Sequence, residues 1–372
     1  MASALPVYQE MLDYAIGRTR QNLAQLTSFP ELARNGRWDC VSNGGWVGGH
    51  WVGLLWLAFV HTGDHTLEAA ARGWGSRLAP RQTDTTTHDL GFLFELSHIL
   101  GAQITGDATL KAPALTASKT LTLRFNEKGK YLQAWGALDD PAERRGRAII
   151  DTMMNLDMLY WATRESGDPV YARVATDHAR TALARQVRPD WSTSHVMDFV
   201  ADRGAFLRQE THQGLSATSC WSRGHSWAVY GFAETYHNTG DAVFLDAARN
   251  LAGYALRRLP PDHVPFWDFD SPLIPNDVRD SSAASILAAA LLKLAELEKE
   301  AAAAKRWHDA ATAILHSLWE SYTSRGTPEP SMLIHATRSK PAGMMDSGLI
   351  YGDYYFVEAL THLLQPKKWL WL

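Results

Sequence analysis

Residues 238–248 read NTGDAVFLDAA, and three earlier stretches repeat the pattern: HTGDHTLEAA at 61–70, ITGDATLKAP at 104–113 and ESGDPVYARVA at 165–175. In each, a glycine (Gly63, Gly106, Gly167, Gly240) can take the left-handed conformation that ends a helix, and the aspartate after it (Asp64, Asp107, Asp168, Asp241) can cap the next. Each stretch therefore reads as a hinge between two helices. An apolar, aromatic-rich run precedes every hinge (WVGLLWLAFV, LGFLFELSHIL, TMMNLDMLYWA, WAVYGFAETY), whereas the segment after it is amphipathic, as in DAVFLDAARNLAGYALRRL. That contrast separates a buried inner helix from a half-exposed outer one.

Working outward with the same rules predicts helices over 6–27, 45–61, 64–79, 88–103, 107–124, 147–165, 168–187, 222–237, 241–258, 280–298, 303–322 and 346–364. Strand-like alternation is scarce and no Pro/Ser-rich linker divides the chain, so residues 1–372 are expected to form a single domain. Twelve helices in hairpins, each with an apolar inner member, point to an all-α fold, the (α/α)6 barrel. An open helical solenoid is the competing architecture. The hinge glycines are spaced 43, 61 and 73 residues apart, less evenly than solenoid repeats usually are.

Charge excludes some functions. The chain has 36 Lys+Arg against 40 Asp+Glu, a net charge of −4, and so lacks the basic excess that phosphate neutralisation needs; nucleic acid is not an expected partner. Two cysteines, Cys40 and Cys220, make no disulfide framework, and no Cys/His ligand spacing appears, so neither a metal nor another cofactor is expected. The N-terminal MASALPVYQEMLDYAIGRTRQ has no signal-peptide core, and no stretch has the ~20 uninterrupted apolar residues of a membrane span. These features read as a cytoplasmic protein without membrane attachment. Tryptophan is unusually frequent, with 15 residues, and its flat apolar face with one donor suits either a core or the faces of sugar rings.

Three groups of residues could carry chemistry. Asp151, in RAIIDTMMNLDMLYWA, is surrounded by apolar side chains through more than two turns of the expected helix; burial there raises its pKa, and the carboxyl is either a satisfied structural group or an acid/base. Asp89, in TTTHDLGFLFEL, falls in a first helical turn capped by Thr86, Thr87 or His88, where it either helps the helix start or faces the barrel cavity with Asp151. Two carboxylates in one apolar cavity suit general acid/base work because their environments can separate the two pKa values. In THQGLSATSCWSRGHSWAVYGFAETY, Gln213, Trp221, Arg223, His225 and Trp227 crowd a loop and the first turn of an inner helix. Arg223 could fork onto a carboxylate ligand or pair with a loop aspartate. His88 and His195 are weaker candidates.

At GGWVGGHWVGLLWLAF (44–59), HDLGF (88–92), IIDTMMNLDMLYWA (149–162), HQGLSATSCWSRGHSWAVYGFAETY (212–236) and DSGLIYGDYYFVEAL (346–360) the sequence resembles glycoside hydrolase family 88, the unsaturated glucuronyl hydrolases. The resemblance spans most of the chain, and the family fold is the (α/α)6 barrel. It implies an enzyme that removes 4,5-unsaturated glucuronic acid from the non-reducing end of lyase-generated oligosaccharides by hydrating the C4=C5 enol ether. By that resemblance Asp151 is the general acid and base, and Asp89 binds ring hydroxyls and tunes it. Trp46, Trp135, Trp221 and Trp227 line sugar subsites, and His88, His195, Gln213, Arg223, His335 and Ser347 make polar contacts. His225 after WSRG and the IHATRSKPAGMMDS loop depart from the family pattern, the latter leaving preference between sulfated and unsulfated substrates open. The related unsaturated rhamnogalacturonyl hydrolases and, from another class, a sugar 2-epimerase working through histidines are the alternatives.

Overall fold

The hinge glycines Gly63, Gly106, Gly167 and Gly240 have φ of +67°, +72°, +75° and +67°, where a side chain would be strained. Asp64, Asp107 and Asp241 accept hydrogen bonds from the backbone N–H of Thr66, Thr109 and Val243, and Asp168 does the same for Val170. Each hinge thus closes one helix and caps the next within five residues.

The computed structural model describes residues 5–141 and 145–365. Its helices are α1 (Leu5–Gln25), α2 (Gly48–Thr62), α3 (His65–Leu78), α4 (Leu90–Phe94), α5 (Leu100–Thr105), α6 (Lys111–Thr122), α7 (Asp157–Ser166), α8 (Val170–Arg185), α9 (Ser222–Thr239), α10 (Ala242–Arg258), α11 (Ser281–Leu297), α12 (Ala301–Ser321) and α13 (Ile350–Leu364). A π turn, Glu95–Ile99, joins α4 to α5 into one rod. The inner rods are α2, α4–α5, α7, α9, α11 and α13, and each packs on its neighbours until α13 meets α2 and closes the ring. Helices α3, α6, α8, α10 and α12 lie outside their hairpin partners, and the sixth outer helix is α1, packed on α13. The architecture is the (α/α)6 barrel. Its sixth pair is made from the first and last helices rather than from consecutive ones.

Burial follows the two helix classes. Every residue of α9 from Ser222 to Thr235 and of α11 from Ser281 to Leu294 is buried, whereas α10 and α12 bury one stripe each. The small residues SSAAS opening α11 let the inner rods approach closely.

Three small sheets were not foreseen: β2–β1–β8 (β1 Phe29–Arg34, β2 Arg37–Val41, β8 Gly348–Leu349), β3–β4 (Phe125–Asn126, Tyr131–Leu132) and β5–β6–β7 (Arg147–Ile149, Val196–Val200, Ala205–Glu210). They correct two expected helix starts. Residues 147–149 form β5 and 150–155 a 3-10 turn, so the third inner helix begins at Asp157. Residues 348–349 are strand, so the last begins at Ile350. In both places the backbone pairs with a distant segment, Ile149 with Val196 and Leu349 with Leu32, a long-range partner that helical periodicity does not encode.

Candidate active site

A cavity of about 440 Å³ opens where the inner helices begin. Asp151 lies in it, buried, on the 3-10 turn after β5 rather than within a helix. Pairing of β5 with β6 decides its surroundings: Ile150 N–H donates to the His195 carbonyl at 2.9 Å, and His195 Nε2 then stands 3.5 Å from Asp151 Oδ2. His195 Nδ1 accepts from the backbone N–H groups of His212 and Gln213, at 3.2 and 3.1 Å, and the Trp221 ring covers the imidazole with centroids 4.5 Å apart.

Asp89 shares the cavity. It is itself the N-cap residue of α4 rather than a first-turn residue, and its side chain makes no capping bond. Instead Oδ2 accepts from the Thr87 hydroxyl at 2.7 Å, and Oδ1 lies 3.3 Å from His88 Nε2. His88 Nδ1 meets the Thr152 hydroxyl at 2.8 Å, so a polar chain links Asp89 to the residue beside Asp151. Asn155 ties the same two segments again. Its Oδ1 accepts the Phe92 N–H at 2.9 Å and its Nδ2 donates to the Asp151 carbonyl at 3.4 Å. Gly91 permits this approach, because a Cβ there would lie 2.5 Å from Asn155 Cα.

Burial alone would raise the Asp151 pKa, as expected from sequence. The adjacent His195 ring, with the His88 ring and the Arg223 guanidinium behind it, outweighs burial and holds the carboxyl below its ordinary value, reversing that expectation. Burial lowers the His88 pKa against the pull of Asp89 and Asp151, so the ring is neutral at neutral pH.

Trp46, Trp135, Gln213 and Arg223 line the cavity with Asp89, Asp151 and His88. Arg223 offers no free fork. Its Nη1 donates to Asp280 Oδ2 and the Thr337 carbonyl, and its Nη2 to the Arg338 carbonyl, each at 2.5 Å. The second of the two sequence readings, a pair with a loop aspartate, is the one realised. Trp221 and Trp227 are buried behind the lining, Trp221 against His195 and Trp227 between Phe92 and Tyr355. His225 is buried too, its Nε2 on the Leu251 carbonyl at 2.9 Å. His335 lies outside the cavity, 2.5 Å from Asp346 at a second one lined also by Asp262 and Arg279. Ser347 is buried in a bridge with Ala336.

Sequence reasoning missed His212, whose ring sits 5.1 Å from that of Trp135, and the rim segment Arg338, Ser339, Pro341, Ala342 and Met344. A positional rule finds both: they lie in the segments that lead into the inner helices α9 and α13, as Asp89 does for α4 and Asp151 for α7. Among the described residues no three His, Cys, Asp or Glu side chains come together as a metal ion would need.

Further along the inner helices the ring interior carries buried charge. Lys293 (α11) contacts Glu234 (α9), Tyr230 donates to Glu358 (α13) at 2.8 Å, and Asn238 donates to Asp157 (α7) at 2.6 Å. Burial raises the pKa of Glu234 to about 8 and raises that of Asp157 too. Glu95, in the π turn, is pushed up first by burial and then by the neighbouring carboxylates.

No protein-family model matches the chain. It is 35% identical, over 98% of its length and 99% of the relative's, to the unsaturated glucuronyl hydrolase of Bacillus sp. (strain GL1). It is 34% identical, over 89% of its length and 85% of the relative's, to the unsaturated chondroitin disaccharide hydrolase of Streptococcus pneumoniae. The crystal structure of the Bacillus sp. GL1 enzyme superposes with a TM-score of 0.94 at 33% identity, covering 98% of this chain and 99% of that one.

Proposed function

The chain belongs to the unsaturated glucuronyl hydrolases, and from that premise we propose that Asp151 both protonates and hydrates the unsaturated sugar it removes. The protein is a glycoside hydrolase of oligosaccharides ending in unsaturated glucuronic acid. Neither the rhamnogalacturonyl hydrolases nor the 2-epimerases are supported by its relatives.

The observation that carries the assignment is the position of Asp151: a carboxylate at the cavity wall whose Oδ2 faces the His195 ring at 3.5 Å. Protonated, Asp151 delivers its proton to C4 of the enol ether, and positive charge develops at C5 next to the ring oxygen. The Asp151 carboxylate then removes a proton from water as its oxygen bonds to C5. The hemiketal so formed opens to a C5 ketone, leaving C1 as a hemiacetal, and collapse of that hemiacetal to the aldehyde releases the next sugar as an alcohol. Each cycle returns Asp151 to the protonated state and consumes one water.

In the free enzyme Asp151 is held in the carboxylate form. The substrate resolves this, because its own uronate brings a second negative charge into the same cavity, and like charges raise each other's pKa. Binding thereby loads the proton that the first step spends. Asp89, backed by His88, supports binding of the ring hydroxyls, and Trp46 and Trp135 offer flat faces to the sugars.

Two free cysteines, exposed Cys40 and buried Cys220, support a cytoplasmic location, and no helix among the described residues is long and apolar enough to cross a membrane. All six inner helices wall one ring, which supports reading the chain as one domain.

The decisive experiment presents lyase products of chondroitin, hyaluronan, heparin, gellan and xanthan and follows the ultraviolet absorbance of the C4=C5 bond. Loss of absorbance with release of the adjoining sugar is expected. Sugar isomerisation with the absorbance intact would end the proposal.

A further inference from the structure

Arg124 lies outside the cavity, in the turn between α6 and β3, and is 2% exposed. Its guanidinium reaches two segments at once. Nε donates to the Gln133 carbonyl at 2.8 Å, and Nη1 donates to the carbonyls of Thr85 and Gly136. These segments run side by side, with Thr87 bridging Trp135 and the His88 N–H donating to the Ala134 carbonyl at 3.2 Å. One carries His88 and Asp89 and the other carries Trp135, all three of which line the cavity.

The cation makes no ion pair within 4 Å among the described residues, and its Nη2 is buried without a hydrogen-bond partner. Its nearby negative charges are Asp89 and Asp84. An arginine buried among carbonyls with no carboxylate in contact is costly to place, so a fold that keeps one there uses its charge over distance as well as its donors.

We propose that Arg124 is a positioning residue for the reaction, holding the His88–Asp89 turn at a fixed spacing from Trp135 and supplying a permanent positive charge behind them. The assignment rests on the hydrolase reading given above. Burial lowers Arg124 to about 10, so it is charged wherever the enzyme works. His88 faces Asp89, Asp151, His195, His178 and Arg124, and of these Arg124 is a fixed cation that opposes protonation of the ring. A plane of donors across three carbonyls is a task for guanidinium; an ammonium keeps the charge but not the fork.

Arg124→Lys and Arg124→Gln are compared with the wild type in three measurements: thermal melting, kcat/KM on an unsaturated chondroitin disaccharide, and titration of the His88 ring by NMR without substrate. Arg124→Gln is expected to titrate His88 at higher pH and to lose at least about tenfold in kcat/KM, since small misplacements of binding groups cost that much or more. Arg124→Lys is expected to restore the His88 titration while kcat/KM stays about tenfold down. Either variant, folded and with wild-type kcat/KM, overturns the assignment, as does a folded Arg124→Gln whose His88 titrates as in the wild type. If Arg124→Gln does not fold, Arg124→Lys decides alone. If the wild type leaves the disaccharide intact, the hydrolase reading has failed instead, and the substrate-free titration still tests the charge.

Discussion

Asp151 Oδ2 and His195 Nε2 face each other across 3.5 Å, and the direction of the proton between them is determined. Two backbone N–H groups already occupy His195 Nδ1, so the neutral ring carries its hydrogen on Nε2 and approaches Asp151 as a donor. His195 therefore cannot be the base that takes a proton from water unless the 212–213 backbone moves. Removing the ring should raise the Asp151 pKa, because a donor to the carboxylate is lost. His195→Ala is expected to shift the alkaline limb of kcat/KM, where the protonated Asp151 is lost, to higher pH; an unmoved limb in a folded variant would show that the ring does not bear on Asp151.

Asp151→Asn keeps the side-chain shape and removes the proton. A positioned acid/base group is worth ~10²–10⁴ in rate, so kcat should fall at least roughly 10²-fold with the melting temperature little changed. A folded variant turning over near the wild-type rate would remove Asp151 from the chemistry.

Gly91→Ala tests the packing that holds the two acidic segments together. The added methyl would meet Asn155 Cα at 2.5 Å, and backbone cannot swing aside as a side chain can. Overpacking of this kind costs ~1–3 kcal/mol, so both melting temperature and kcat/KM should drop. Gly91→Ala at wild-type stability would mean the segments have slack between them.

The buried charges deeper in the ring predict a pH dependence of stability. A carboxyl whose folded pKa lies above its unfolded value contributes stability that is full below the unfolded value and is lost as pH rises through the folded one. Glu95 is such a group, and glutamine cannot ionise. Glu95→Gln should therefore match the wild type below the unfolded glutamate value of ~4.3 and gain on it as pH rises above that. Melting curves at several pH values would check this, and a difference that shrank with pH would contradict it.

Chemistry that begins at C4=C5 makes two demands on substrates. Saturated aryl glucuronides, which need oxocarbenium chemistry between paired carboxylates, should not be turned over. A sulfur-linked unsaturated substrate should be consumed at a rate comparable to the oxygen-linked one, because the leaving atom is not protonated in the first step. Inertness of the thio-linked substrate alone would make Asp151 a conventional glycosidase acid.

The repeated Thr-Gly-Asp and Ser-Gly-Asp hinges made the toroid legible, because their chemistry is local: one positive φ and one cap. The strands were not, because β5 and β8 owe their form to partners far away in sequence. For the same reason Asp151 and Asp89 could be picked out as candidates but not seen in their final setting. His195 reaches Asp151 only through the β5–β6 pairing, and Arg223 is committed to Asp280 and to carbonyls over a hundred residues downstream. His335 and Ser347 were carried over by resemblance, and the folded chain places neither in the cavity.

The ring is sealed where α13 meets α2 and α1, and where β8 pairs with β1. Five hairpins are neighbours in sequence and can assemble in order as the chain leaves the ribosome, but this seam waits for residues near 350. The rim from Arg338 to Met344 arrives just before it. The substrate pocket is thus complete only once this seam is closed, and without α13 the apolar inner faces of α2 and α11 that it covers would be exposed. A chain lacking α13 is a natural client for chaperones, and a modest C-terminal truncation should damage solubility before it damages chemistry.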